Sequence, residues 1–281
     1  MRERKWTPRR PGLAAKGPRP PGQGGIGPRP ERRFRPPPRD PDGPAVLYGW
    51  HTVKAALENP RRRFRRLLAT ENAARRQAED GLKLPMAPEL VRPDTIAGQL
   101  PPDAVHQGLL AEADPLPSPA IEDLPADGIV LALDQITDPH NVGAILRSAA
   151  AFDVKAVVIT ARHSPEATGV LAKSASGALE HVPIAEVGNL ARALEGLKAR
   201  GFLLVGLDSL GTVDLAAVPL TAPLALVLGA EGKGLRQLTR TLCHAVARLD
   251  LPGAIKNLNV SNAAAIALYM ATTRLRPPAA P

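Results

Sequence analysis

The chain has 281 residues, 44% of them hydrophobic but only 3% aromatic, so its core has to be built from Ala, Val, Leu and Ile. Its one cysteine, Cys243, excludes an intrachain disulfide and a multi-cysteine metal site, and fits a reducing, cytoplasmic setting. The formal net charge is +9, yet residues 1–43 alone hold 12 Lys/Arg against 4 Asp/Glu, so the basicity belongs to the N-terminal segment and not to the rest.

That segment contains 11 prolines and little apolar periodicity, and is expected to be a disordered basic tail suited to phosphate backbones. It has no apolar stretch of the kind a secretory signal needs, and no apolar run in the chain reaches the roughly 18 residues of a membrane span. Residues 44–113 read as a small α/β domain. His51–Leu57 is a short helix with Val53, Ala56 and Leu57 on one face, Phe64–Thr70 a strand, Glu71–Asp80 a polar helix and His106–Ala113 a closing strand. Between Lys54 and Arg76 lie eight basic residues, among them Arg61, Arg62, Arg63, Arg65 and Arg66. They make either an RNA-facing patch or a solvated surface. Residues 114–126, with four prolines, read as a linker.

From 127 to 276 strands and helices alternate. Gly128–Leu133 is a strand, Asn141–Phe152 a helix, Val154–Thr160 a strand, and a helix follows near Glu166–Ser174. Then come a short strand at Val182–Ile184, a helix at Leu190–Arg200, strands at Phe202–Leu207 and Leu224–Leu228, and a long helix over Asn257–Arg274. Continuous apolar strands separated by helices predict a mostly parallel sheet with both faces covered.

Three segments of this region are not explained by packing. In LDQITDPHNVGAILR (133–147) a strand ends in a polar loop before a helix, the place where open α/β sheets bind ligands. Asn141 is there either a helix cap or a functional amide. In LVLGAEGKGL (226–235) a buried strand runs into Gly229, Gly232 and Gly234 around Glu231. The glycines permit close backbone approach to a ligand, but the spacing is neither that of a dinucleotide fingerprint nor that of a P-loop. In LDLPGAIKNLNVSNAAA (249–265) a Pro-Gly turn leads to a helix with polar first turns, containing Asn257, Asn259, Ser261 and Asn262. No His, Cys, Asp or Glu grouping has metal-ligand spacing, and no resident metal is expected.

Together and in this order, DPHNVGAILRSA, GAEGKG and LNVSNAAAI resemble the three motifs of the SpoU (SPOUT-class) family of RNA 2′-O-ribose methyltransferases. LYGWHTVKAAL and VHQGLLA resemble the opening and close of the small substrate-binding domain in the subgroup that methylates a guanosine ribose in bacterial 23S rRNA. Asn262 stands where that family commonly has Val. The resemblance implies a C-terminal trefoil knot, a homodimer, and S-adenosyl-L-methionine (SAM) as cofactor. It implies cofactor contacts at Leu228, Gly229, Gly232, Leu249, Gly253 and Leu258, and catalytic or substrate-facing roles for Asn141, Arg147, Glu231, Asn259 and Ser261. Competing readings are a tRNA 2′-O-ribose methyltransferase and a non-catalytic RNA-binding protein of ribosome assembly.

Overall fold

The computed structural model describes residues 43–161 and 169–275, all within one compact unit, Pro38–Pro281. The expected basic tail falls almost wholly outside the described residues, as does the start of the helix expected at Glu166.

The first part is a small sheet. Strand β1 (Ala45–Tyr48), helix α1 (Trp50–Glu58), β2 (Phe64–Ala69), α2 (Glu71–Glu79), β3 (Glu89–Leu90), α3 (Pro93–Ala97) and β4 (Leu109–Ala113) follow in order. The sheet order is β1-β4-β2-β3, with β4 antiparallel to both β1 and β2. Its inner face (Leu47, Leu67, Ala69, Ala111) joins the main core. Its outer face (Tyr48, Leu68, Leu110) packs on Ile96 of α3.

The second part continues with β5 (Ile129–Asp134), α4 (Pro139–Ala151), β6 (Ala156–Thr160), α5 (Gly169–Ala175), β7 (Ile184–Val187) and α6 (Leu190–Ala199). Then follow β8 (Leu203–Leu207), β9 (Val213–Asp214), β10 (Leu224–Gly229), α7 (Gln237–Leu242), β11 (Ala245–Arg248) and α8 (Val260–Leu275). Its strands form a seven-stranded sheet of order β7-β6-β5-β10-β8-β11-β9, and every pairing between them is parallel. Side-chain alternation divides each strand between two cores. In β5, Ile129, Leu131 and Leu133 face α4 and α8, while Val130 and Ala132 face α6.

Three of the boundaries that differ from the sequence reading do so for plain local reasons. The strand expected at Val182 begins at Ile184, because Pro183 has no N–H to give the ladder; Val182 fills the core instead. The last helix starts at Val260 and not at Asn257, because Asn259 caps it. Helix α4 starts at Pro139, capped by Asp138, whose carboxylate accepts from the His140 N–H at 2.9 Å. The proline-rich linker is also no free tether. Ile121 and Leu124 are buried against α6, and the Arg200 guanidinium donates to both of their carbonyls at 2.5 Å.

The chain leaves β5 toward β6 on one side, while β10, β8 and β11 occupy the other. The loops after β5 and β10 therefore diverge at adjacent strand ends, where Gly229 and Asp134 are paired. Parallel sheets open a crevice at such a reversal. Two of the three unexplained segments are those loops, and the third lies beyond β11, two strands from β10.

Candidate active site

The glycine loop after β10 is held by close contacts that leave no room for a side chain at Gly229 or Gly234. Gly234 N–H donates to the Ala230 carbonyl at 2.8 Å and closes the loop. A Cβ on Gly229 would lie 2.3 Å from the Gly234 carbonyl carbon, and a Cβ on Gly234, at φ +65°, would lie 2.3 Å from Asp208 Oδ2. Gly232 adopts φ +74° with open space around it, so there glycine serves the turn and not a close contact.

Two carboxylates pin the loop's exit. Asp208, just past β8, accepts from the Leu235 N–H at 2.9 Å and from the Arg240 guanidinium at 2.5 Å. Asp134, the last residue of β5, accepts from the Arg236 N–H at 3.0 Å and from Arg236 Nε at 2.6 Å. Both carboxylates are buried. Neither was among the expected site residues, although each terminates an otherwise apolar strand (GIVLALD and FLLVGLD), which is the local signal that marks them.

Between the glycine loop, the β8 end and the segment after β11 lies a cavity of about 520 Å³. Of the expected cofactor positions, Leu228, Gly229, Gly232, Leu249 and Leu258 line it, whereas Gly253 does not. Gly253 is exposed, and a Cβ there would meet nothing within 4 Å. Asp208, Arg248, Leu251, Lys256 and Asn257 complete walls that sequence reasoning had left unassigned. Lys256 Nζ bonds the Leu251 carbonyl at 2.7 Å and so fixes the loop in which both lie.

At the rim the three motifs meet in one hydrogen-bonded cluster. Glu231 Oε1 accepts from Asn259 Nδ2 at 2.7 Å, from the Val260 N–H at 3.2 Å and from Asn141 Nδ2 at 3.3 Å. Asn259 Nδ2 also donates to Asn141 Oδ1 at 3.0 Å. Asn259 Oδ1 receives the Ser261 N–H at 2.9 Å and the Ser261 hydroxyl at 2.5 Å. Because Asp138 caps α4, the Asn141 amide is released for this cluster; capping does not explain its position. Glu231 Oε2 has no hydrogen-bond partner among the described residues.

Four of the five expected catalytic residues are thus brought together, and Arg147 is not. It projects from α4 into solvent, with no hydrogen bond or ion pair among the described residues. A second cavity, of about 360 Å³, shares Glu231 and Ala230 with the first and is otherwise lined by Gln135, Ile136, Thr137, Asp138, Asn141 and Lys233. Among the described residues no group of His, Cys, Asp and Glu is placed to hold a metal ion.

The basic run of the small sheet divides unevenly. Arg62 is turned inward, its side chain 4% exposed, and it bonds Glu180, whose side chain is 2% exposed, at 2.8 Å. That corrects its expected place on an RNA-facing patch: it anchors the small sheet to the segment before β7. Arg65 pairs with Asp114 at 2.6 Å and Arg66 with Glu89 at 2.8 Å, so their charge is already met. Arg61 and Arg63 are exposed and have no carboxylate partner among the described residues.

Comparison with known proteins bears on this geometry. Residues 128–269 match the model of the SpoU rRNA Methylase family, and residues 46–119 match that of the RNA 2′-O ribose methyltransferase substrate-binding domain. The chain is 36% identical over 236 residues to a 23S rRNA (guanosine-2′-O-)-methyltransferase RlmB of Pseudomonas putida, covering 80% of this chain and 94% of that one. It is 35% identical over 240 residues to the enzyme of the same name from Vibrio cholerae, covering 80% and 95%. Its fold is similar to that of the SpoU methyltransferase AviRb from Streptomyces viridochromogenes, crystallised in complex with AdoMet. There the TM-score is 0.71 with 24% identity, over 83% of this chain and 90% of that one. It is also similar to the structure of a putative RNA methyltransferase of the TrmH family from Porphyromonas gingivalis, with TM-score 0.68 and 25% identity over 83% and 90%.

Proposed function

The chain belongs to the SpoU rRNA methylase family, and from that premise we propose that it transfers a methyl group from SAM to the ribose 2′-hydroxyl of a guanosine in 23S ribosomal RNA. The observation that carries this reading is the Asn141–Asn259–Glu231 cluster, drawn from all three motifs onto the rim of one cavity.

The residues present fit the cofactor. The cavity lies within the roughly 300–1,000 Å³ of small-molecule sites. Leu228, Leu249 and Leu258 offer apolar surface to a flat base, and Gly229, Gly232 and Gly234 bring bare main chain to the cavity's lining. When bound, SAM supplies an electrophilic methyl group on a sulfonium.

What remains for the protein is orientation, proton removal and charge stabilisation. Three donors fix Glu231 through Oε1, and the free Oε2 takes the 2′-hydroxyl proton as that oxygen becomes nucleophilic. Ser261 holds Asn259, and Asn259 with Asn141 holds Glu231. Arg147 cannot be the base, because a guanidinium stays charged. Exposed and unpaired, it is suited to grip the phosphate beside the acceptor ribose and to stabilise the developing negative charge.

Arg147 acts within a homodimer, where it completes the partner's site. Ile266 and Tyr269 of α8, 40% and 62% exposed, give the apolar surface for that association. The trefoil knot belongs to the same proposal, on the likeness of this fold to that of a SpoU methyltransferase. Residues 44–113 form the RNA-substrate domain, with Arg61 and Arg63 among its cations that have no carboxylate partner among the described residues, 114–126 the linker, 127–276 the methyltransferase domain and 1–43 a basic arm. The enzyme works in the cytoplasm, and no helix among the described residues is long and apolar enough to cross a membrane.

Incubating the full chain with methyl-labelled SAM and a 23S rRNA transcript should give one 2′-O-methylguanosine, visible as a gap in the alkaline cleavage ladder. Labelling of tRNA in preference to the transcript would overturn the substrate, and absence of a saturable SAM site would overturn the activity. Gly234→Ala should weaken SAM at least about tenfold, since its Cβ collides with Asp208 and its φ is left-handed. Gly232→Ala, strained but unobstructed, should cost only about 1 kcal/mol of stability. Calorimetric titration and thermal melts of the two variants check both.

A further inference from the structure

At one end of the small sheet is a cavity of about 330 Å³, remote in sequence from the three motifs and lined by Trp50, Asn72, Arg76, Pro93, His106 and Gln107. Trp50 opens α1 and is 2% exposed, and the Arg76 guanidinium lies over its ring, 3.9 Å from the centroid. Arg76 itself is exposed and has no carboxylate partner among the described residues. It therefore differs from Arg62, Arg65 and Arg66, whose charges are met. A guanidinium stacked on an aromatic ring has a second planar face, which is the surface that stacks on a nucleobase.

The wall opposite is rigid and polar. Gln107 sits at φ 51° and accepts from the Trp50 N–H through Oε1 at 2.9 Å. Gly108 follows at φ +79°, where a Cβ would lie 2.3 Å from Thr70 Oγ1. Left-handed backbone at a non-glycine residue persists where the surroundings enforce it, and it collects at ligand sites. His106 Nδ1 accepts from the Gly108 N–H at 3.1 Å, which leaves Nε2 as the donor of the neutral ring. Burial, and then the charge of Lys173, hold this imidazole below its ordinary pKa, in the neutral form. Asn72 offers both a donor and an acceptor.

We propose that this cavity binds an unpaired RNA base, stacked on the outer face of Arg76 above Trp50, with its edge met by Asn72 and His106. The proposal rests on the RNA-methyltransferase reading and adds to it a base-holding site away from the reacting ribose, which would fix the substrate through an unstacked nucleotide.

The test compares binding of an eight-nucleotide oligoadenylate with that of the same ribose-phosphate chain made abasic, using the full-length protein at fixed salt. The wild type should prefer the base-bearing chain by about tenfold. Arg76→Lys, which keeps the charge and loses the plane, should abolish that preference while SAM affinity and melting temperature stay at wild-type values. Asn72→Ala, at an exposed position, should reduce the preference by itself. Equal wild-type affinity for the two chains overturns the site. So does an Arg76→Lys protein that keeps the preference, or one that loses affinity for both chains equally, as a phosphate contact would. Methyl transfer by the wild type, measured in parallel, reports on the enzyme reading independently of either result.

Discussion

Arg147→Ala is expected to lower methyl transfer by about 100- to 1,000-fold while SAM affinity stays within about twofold. The cofactor cavity is lined without Arg147, so nothing in it is lost when the side chain is removed. What disappears, on the proposed mechanism, is a cation that serves the RNA and the transition state. Arg147→Lys separates two roles. Charge neutralisation alone would survive the exchange, whereas two-pronged phosphate binding would not, because an ammonium has no planar fork. The site shared between protomers is checked with mixed dimers of Arg147→Ala and Gly234→Ala chains. Each homodimer is impaired by its own defect, but a mixed dimer holds one site with both an intact glycine loop and an intact Arg147. Activity above that of either parent, with subunit exchange confirmed, is the expected result; none would place Arg147 in its own chain's site.

Removal of either member of the Arg62–Glu180 pair should produce a large loss of stability. Glu180 accepts from Arg62 Nε at 3.0 Å with both oxygens, and its Oε2 also accepts from Asn59 Nδ2 at 2.7 Å. The remaining arm of Arg62 bonds the Asp114 carbonyl at 2.8 Å. With side chains 4% and 2% exposed, solvent cannot rescue whichever charge is left alone. Breaking a buried pair typically costs about 3–5 kcal/mol. For a folded body of this size Arg62→Ala should therefore lower the melting temperature by about 10 °C. Arg62→Met with Glu180→Leu should lose less than either single change, since no charge is stranded. Additive losses in that cycle would show that the two residues act separately.

These two predictions draw on features of very different visibility in the sequence. Two of the loops that meet at the site were legible because each follows an apolar strand and breaks its pattern with residues that packing does not need, and the third because a Pro-Gly turn leads to a helix with polar first turns. Asn141, Glu231, Asn259 and Ser261 could be read together, and the structure joins them in one bonded cluster. The parallel sheet was legible for the same reason: both faces of β5 and β10 are covered, so their sequences are apolar throughout.

The unread parts depend on partners distant along the chain. In RRRFRR nothing distinguishes Arg62 from its neighbours until Glu180 is placed beside it. Asp134 and Asp208 look alike as strand-ending residues, and their common task appears only when Leu235 and Arg236 present successive N–H groups to them. Strands β1, β3, β9 and β11 and helix α3 are two to five residues long, too short for a periodic signal. Gly229 is the subtler case. The sequence allowed its bareness to serve a ligand, whereas the space beside it is filled by the Gly234 main chain.

That filled space limits how the cavity can change. One part of its wall is made of Gly229, Ala230, Gly232, Gly234, Ala247 and Ala263, residues with no side chain beyond a methyl group. Binding sites usually acquire new ligands by trimming or enlarging the side chains that shape them, and along this part of the wall there is nothing to trim and, at Gly229 and Gly234, nowhere to enlarge. Point mutation along that part therefore has little purchase on the cofactor this protein accepts. Drift is free to act on the arginine-bearing surface of the small sheet, so descendants of this chain should diverge in the RNA they recognise long before they diverge in the molecule that supplies the methyl group.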